Sequence, residues 1–74
     1  GHDAVPTLKK YVGHKDTAVR SAVMFALTRT ATKADKDVLQ AIADQIEKDR
    51  TRDKQGQALA EEARVTYAII SNRS

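Results

Sequence analysis

Residues 16–31 read DTAVRSAVMFALTRTA, and this stretch decides the fold. Its apolar residues recur at steps of three and four, which is the spacing of one face of an α-helix. Asp16 or Thr17 can cap the N-terminus by accepting hydrogen bonds from backbone N–H groups that lack an intrahelical partner. We therefore expect a central helix whose inner face carries Val19, Ala22, Val23, Ala26 and Leu27, with Met24 and Phe25 widening that face.

The composition indicates one small all-α domain over residues 1–74. Ala, Lys, Glu, Gln, Arg and Leu are abundant and favour helix, whereas one Pro and three Gly interrupt the chain. No Cys is present, so neither a disulfide nor a thiolate metal site stabilises the fold. The net charge of +3 permits only weak attraction to polyanions. Gly1 and His2 resemble the remnant of an expression tag, so we assign them no function.

The first helix is expected at residues 4–12, with Pro6 in its first turn, where the missing N–H costs little. Gly13 can end it in a left-handed backbone conformation. Because only residues 13–15 separate it from the central helix, the two helices should form an antiparallel hairpin. The inward residues of the first helix are Val5, Leu8 and Val12.

A second hairpin should follow. The third helix is expected at residues 37–50, and a polar loop at 49–56 leads to a fourth helix ending near Asn72. The inward residues are Val38, Leu39, Ile42, Ala43 and Ile46 on the third helix, and Leu59, Ala63, Tyr67 and Ile70 on the fourth, with Val65 and Ile69 on a flank. The apolar pattern of the first helix recurs in the third at a constant offset, so the hairpins indicate two copies of one α-solenoid unit.

The first unit resembles a HEAT repeat, and more narrowly the bacterial HEAT-like repeats named after phycobilisome lyases. The resemblance rests on Pro6, on the Asp-Thr-Ala-Val-Arg sequence at 16–20, and on Ala22, Ala26 and Leu27. It covers residues 4–31. Residues 35–72 match only in helix pattern, and His14 stands where that family commonly has an acidic residue. The resemblance implies a right-handed stack of helix pairs that binds partners along one face, and a degenerate last repeat would suit a terminal cap.

A non-catalytic protein-interaction or scaffolding module is the leading functional interpretation, using the exposed face of the second and fourth helices. For Arg20 the resemblance also implies a structural alternative, since an Arg there usually hydrogen-bonds within or between repeats. Self-association is a further alternative if the chain is part of a longer solenoid. The expected partner-binding residues are Arg20, Met24, Thr28, Arg64 and Ala68.

Nucleic-acid binding is the main alternative. Lys48, Arg50, Arg52 and Lys54 could contact phosphates, with Lys9, Lys10 and Lys15 adding to the field. Asp49 and Asp53 dilute this charge, and no aromatic residue is interleaved for base stacking, so the pattern favours a solvated loop. A role in chromophore attachment or a similar maturation step follows from the family name alone.

The sequence offers little for catalysis. It has no Cys nucleophile, no Gly-rich phosphate loop and no Ser with an evident His and acid partner. His2 and His14 do not form a metal-ligand pattern with other residues, so we expect no metal and no cofactor. No apolar run approaches the roughly 20 residues that span a bilayer, and no signal peptide is evident. We therefore expect a cytoplasmic protein that is not an enzyme and has no membrane partner.

Overall fold

The computed structural model describes residues 1–73, and in that range the chain is all-helical with no β-strand. A 3-10 turn at His2–Ala4 precedes four α-helices: α1 at Val5–Lys9, α2 at Thr17–Thr30, α3 at Lys36–Arg50 and α4 at Lys54–Ser71. The all-α prediction is confirmed for these residues, and Ser74 of the predicted domain lies outside them. None of the helices in residues 1–73 has the length and apolar character needed to cross a bilayer.

The first helix is shorter than the predicted range of residues 4–12. After Lys9 the chain continues in i,i+3 hydrogen bonds, with the Tyr11 N–H donating to the Leu8 carbonyl at 3.0 Å. This tighter winding still carries Val12 into the interior, where it is buried with Val5. No residue in the described range has a positive φ, so the left-handed conformation predicted for Gly13 is wrong.

The central helix, α2, begins at Thr17, directly after the predicted N-cap residue Asp16. Asp16 has extended backbone geometry, and its carboxylate accepts a 2.9 Å hydrogen bond from the Ala18 N–H. Of the predicted inner face, Val23 and Leu27 are buried and Ala22 is exposed. Phe25 is also exposed, because none of the helices in residues 1–73 covers that side of α2. The helix therefore packs over a narrower face than its sequence predicts.

The connection between α3 and α4 is much shorter than the predicted loop at 49–56. Only residues 51–53 separate the two helices. Asp53 caps α4 by accepting a 2.7 Å hydrogen bond from the Gly56 N–H, which lets the new helix start at Lys54. Gly56 is needed at this corner, because a Cβ there would lie 2.5 Å from the Asp49 carbonyl oxygen.

The four helices pack as two neighbouring hairpins around one core. α1 packs on α2 and α3 on α4, while α1 also contacts α3 and α2 contacts α4. The centre is formed by Leu27, Ile42 and Ile70, whose exposure is nil. Polar contacts show that α2 and α4 run in the same direction, since Ser21 lies beside Glu62, Thr28 beside Thr66, and Ala31 beside Arg73. This packing fits a helical bundle.

Candidate functional site

An apolar groove runs along the outer side of the α2–α4 contact. Phe25 is 65% exposed and Val65 is 60% exposed, and Ile69 extends the same surface. The groove has a volume of about 410 Å³, and we call it the α2–α4 groove. It is lined by Ser21, Met24, Phe25, Thr28, Glu62, Val65, Thr66 and Ile69.

Two threonines form a contact between α2 and α4 at the floor of the groove. The Thr28 hydroxyl donates a 2.8 Å hydrogen bond to the Met24 carbonyl oxygen and lies 3.3 Å from the hydroxyl oxygen of Thr66. Met24 and Thr66 are each only 6% exposed, so this contact joins the two helices beneath the surface. Both hydroxyl groups therefore have hydrogen-bond partners within the floor of the groove.

Two exposed side chains of opposite charge, Glu62 and Arg29, border the groove. In the N-terminal half of α2 and near the middle of α4, the Glu62 carboxylate lies 3.5 Å from the Ser21 hydroxyl. One helical turn beyond Phe25, the Arg29 guanidinium lies over the Phe25 ring, with its central carbon 5.7 Å from the ring centroid. Both Glu62 and Arg29 are exposed, so a bound partner can reach them.

The predicted partner-binding residues divide into three groups. Met24 and Thr28 line the α2–α4 groove, although Met24 contributes mainly to its buried floor. Arg64 and Ala68 are exposed on α4 outside the groove lining, and Arg64 forms an ion pair with Glu61. Arg20 is only 4% exposed, so its predicted place on the partner face is wrong.

Arg20 instead forms a buried ion pair with Asp49, which is 1% exposed. Its Nη1 donates to Asp49 Oδ1 at 3.3 Å, its Nη2 donates to Asp49 Oδ2, and its Nε donates to the Val12 carbonyl oxygen at 3.1 Å. The Gln45 amide and the Arg52 guanidinium also donate to Asp49. This network ties α2, the turn after α1 and the end of α3 together, which confirms the structural interpretation of Arg20.

The basic segment, residues 48–54, is a helix end and a tight turn instead of a loop. Arg50 forms an ion pair with Glu47, and Arg52 forms ion pairs with Asp49 and Asp53. Carboxylates therefore neutralise two of the four predicted phosphate contacts. Lys48 and Lys54 are exposed and have no ion pair with any residue in 1–73.

Two carboxylates near the turn between α3 and α4 have lowered pKa values. The hydrogen bond from Arg50 holds the pKa of Glu47 below its ordinary value. The hydrogen bond from the Gly56 N–H, with a smaller contribution from Arg52, lowers the pKa of Asp53. Both side chains are thus charged at neutral pH, which keeps the local positive field weak.

Metal-ligand geometry does not arise among residues 1–73, where no three His, Asp or Glu side chains converge. His14 accepts a 3.0 Å hydrogen bond from the Asp16 N–H in the turn before α2. His2 contacts the Thr30 carbonyl oxygen at 3.3 Å and the Asp35 carboxylate at 3.4 Å. Both imidazoles therefore have local structural contacts.

Comparison with models of protein families, with curated proteins and with solved structures returned no match. The class of protein is accordingly defined by its own fold and surface. It is an all-α chain of four helices with an exposed apolar groove on one side.

Sequence reasoning misses the two residues that matter most in this geometry. The helical spacing places Phe25 on the packing surface of α2, but the ring forms a wall of the groove. The polarity of residues 49–56 places Asp49 in a loop, but its side chain lies in the interior. A signal exists for Asp49, because it continues the helical spacing of Ile42 and Ile46 and can be matched with the Arg beside the apolar face of α2.

Proposed function

We propose that this chain is a non-catalytic protein-interaction or scaffolding module that binds through the α2–α4 groove. The observation that carries the proposal is the exposure of Phe25 and Val65 side by side. A contiguous apolar patch with polar residues at its edges is typical of a protein-binding surface, and aromatic residues are enriched among the residues that contribute most to binding.

The proposed mechanism is shape complementarity on a rigid surface. Leu27, at the centre of the core, and the Thr28–Thr66 contact hold α2 and α4 in register before a partner arrives. Little conformational entropy is then lost on binding. Burying a large apolar side chain such as Phe25 contributes about 1.5–3 kcal/mol, and the groove provides the cavity that an apolar partner side chain would fill.

We also propose that the two hairpins are HEAT-like repeats, the second being a degenerate terminal one. The neighbouring positions and common direction of α2 and α4 support this interpretation, since stacked helix pairs place their second helices side by side. The Arg20 network supports it as well, because the resemblance implies an Arg that hydrogen-bonds within or between repeats.

Nucleic-acid binding through the basic segment has less support. Glu47, Asp49 and Asp53 lie within ion-pair distance of its two arginines. A role in chromophore attachment rests on the resemblance alone, and no side-chain arrangement in residues 1–73 favours it.

A selection from a random peptide library tests the proposal while leaving the identity of the partner open. The wild-type protein serves as bait, and a variant carrying Phe25→Ser and Val65→Ser serves for counter-selection. We expect binders with apolar residues at helical spacing, which shift the backbone amide signals of residues 21–29 and 62–69. Peptides that bind the double variant as tightly as the wild type would contradict the proposal.

A further inference from the structure

The distribution of charge along the α2–α4 groove points to one kind of partner. Glu62 lies beside Ser21 on the N-terminal side of Phe25 along α2, and Arg29 follows Phe25 on its C-terminal side. Ser21 and Arg29 are each four residues from Phe25, which corresponds to about 6 Å along the helix in either direction. The two charged residues therefore lie on opposite sides of Phe25 along α2, with the Arg29 guanidinium over the ring itself.

We propose that a second copy of this chain occupies the groove, in a two-fold symmetric dimer that rests on the proposed interaction function. The symmetry axis lies in the interface at the level of Phe25 and crosses α2 and α4 at about a right angle. It reverses the direction of the helices in the second copy. The partner of the groove is thus the same surface, as in other isologous interfaces.

This arrangement pairs unlike charges twice. The reversal brings Arg29 of one copy to the level of Ser21 of the other, where the Glu62 carboxylate lies 3.5 Å from the Ser21 hydroxyl. The same contact recurs on the other side of the axis. A parallel arrangement would instead place Arg29 near Arg29 and Glu62 near Glu62, so charge selects the antiparallel one.

The apolar residues meet at the centre of this dimer. Phe25 lies on the level of the axis and faces Phe25 of the second copy, with Val65 alongside. Burying these rings removes the largest exposed apolar surface of α2 from water. Because α2 has only 14 residues, the interface is small and we expect a dissociation constant of about 10–100 μM.

Charge reversal tests the pairing. Arg29→Glu alone and Glu62→Arg alone should each weaken self-association at least about ten-fold, because each change creates two like-charge contacts. An equimolar mixture of the two variants should form a heterodimer, since both contacts then pair unlike charges, one between the two unchanged residues and one between the two substituted residues. Lys48→Glu makes the same charge change as Arg29→Glu on an exposed residue outside the groove and should leave self-association unchanged.

Sedimentation equilibrium up to about 1 mM protein measures these constants, and thermal unfolding confirms that each variant is folded. Restored association in the mixture supports the dimer. A wild-type chain that remains monomeric at that concentration, or a mixture no tighter than the single variants, overturns it. In either case a library peptide that binds the groove would still support the interaction module, so the two proposals fail separately.

Discussion

On one side of α2 a charged residue is buried, and on another side an aromatic residue is exposed, which is the reverse of what their polarity favours. Arg20 is buried and surrounded by hydrogen-bond partners, whereas Phe25, five residues later, is exposed. The buried charge is compensated by Asp49 and the Val12 carbonyl, and Gln45 donates to Asp49 in turn, so Arg20 has a structural role. The exposed ring has no comparable role within residues 1–73, which is why we assign function to that side.

The largest effect is expected on the buried side. Asp49→Ala should lower the free energy of unfolding by about 3–5 kcal/mol, because it leaves the Arg20 guanidinium buried without a counter-charge. Urea unfolding followed by circular dichroism measures the change. Replacing both residues with apolar ones, as Arg20→Met with Asp49→Leu, should recover most of the loss. A single Asp49→Ala variant within about 1 kcal/mol of wild type would contradict the role assigned to the pair.

The next largest effect on stability is expected at Gly56, which lies where the start of α4 meets the backbone of Asp49. Gly56→Ala should destabilise by about 1–3 kcal/mol, because the added methyl group would meet backbone at the end of α3. Gly13→Ala is the matched control, since its Cβ would meet only the Gln45 side-chain amide, which can move. Thermal unfolding of both variants checks this. A more stable Gly56→Ala variant would show that α3 and α4 do not approach closely there.

Acid should reduce the stability that the Asp53 cap gives to the turn between α3 and α4. The pKa of Asp53 is lower in the folded chain than in the unfolded one, so its contribution to stability is present above the unfolded pKa of about 3.9 and is lost as the pH falls through the folded value. Asp53→Asn can still cap α4 but does not titrate, so the stability of this variant should fall less than that of the wild type between about pH 5 and about pH 2. Urea unfolding at both pH values measures the difference. Equal pH dependence in both proteins would argue against a charged cap.

The smallest effect on stability is expected on the exposed side. Phe25→Ser should change the free energy of unfolding by no more than about 0.5 kcal/mol, as is usual for surface positions. Leu27→Ala on the same helix should cost about 2–5 kcal/mol, since Leu27 is fully buried. If Phe25→Ser destabilised as much as Leu27→Ala, the ring would be part of the core and the comparison of the two sides would fail.

A DNA titration sharpens the account of the basic segment. Generic duplex DNA at low salt should leave the amide signals of residues 48–54 almost unchanged, because Arg50 and Arg52 are paired with carboxylates. The same titration at moderate salt is the control. Shifts that are confined to these residues and disappear as salt rises would instead favour nucleic-acid binding.

A structural feature can be predicted from the sequence when it depends on residues that are close together along the chain. The N-cap at Asp16 and the burial of Val38 and Ile42 each depend on neighbours within a few residues. Both predictions are confirmed. The predicted length of the α3–α4 turn is wrong, because Asp49 is polar and its burial depends on Arg20, which is distant in sequence. A polar residue whose partner is unknown is assigned to the surface by default.

The proposed interaction face is predictable only in outline. The spacing of α2 and α4 correctly indicates that both helices have exposed residues, and Met24 and Thr28 do line the groove. The sequence cannot distinguish the covered side of α2 from the uncovered one, because Phe25 and Leu27 are equally apolar. That distinction depends on the position of α4 against α2, which is a property of the tertiary packing.

The most direct test of the central claim is photo-crosslinking from the groove. Benzoylphenylalanine replaces Phe25 in one protein and Gln40, an exposed residue of α3, in a matched control. We expect discrete protein adducts from position 25 only, and we expect Val65→Ser with Ile69→Ser to abolish them. Adducts of equal yield from position 40, or adducts that survive the two serine substitutions, would contradict the assignment of the α2–α4 groove as the interaction surface.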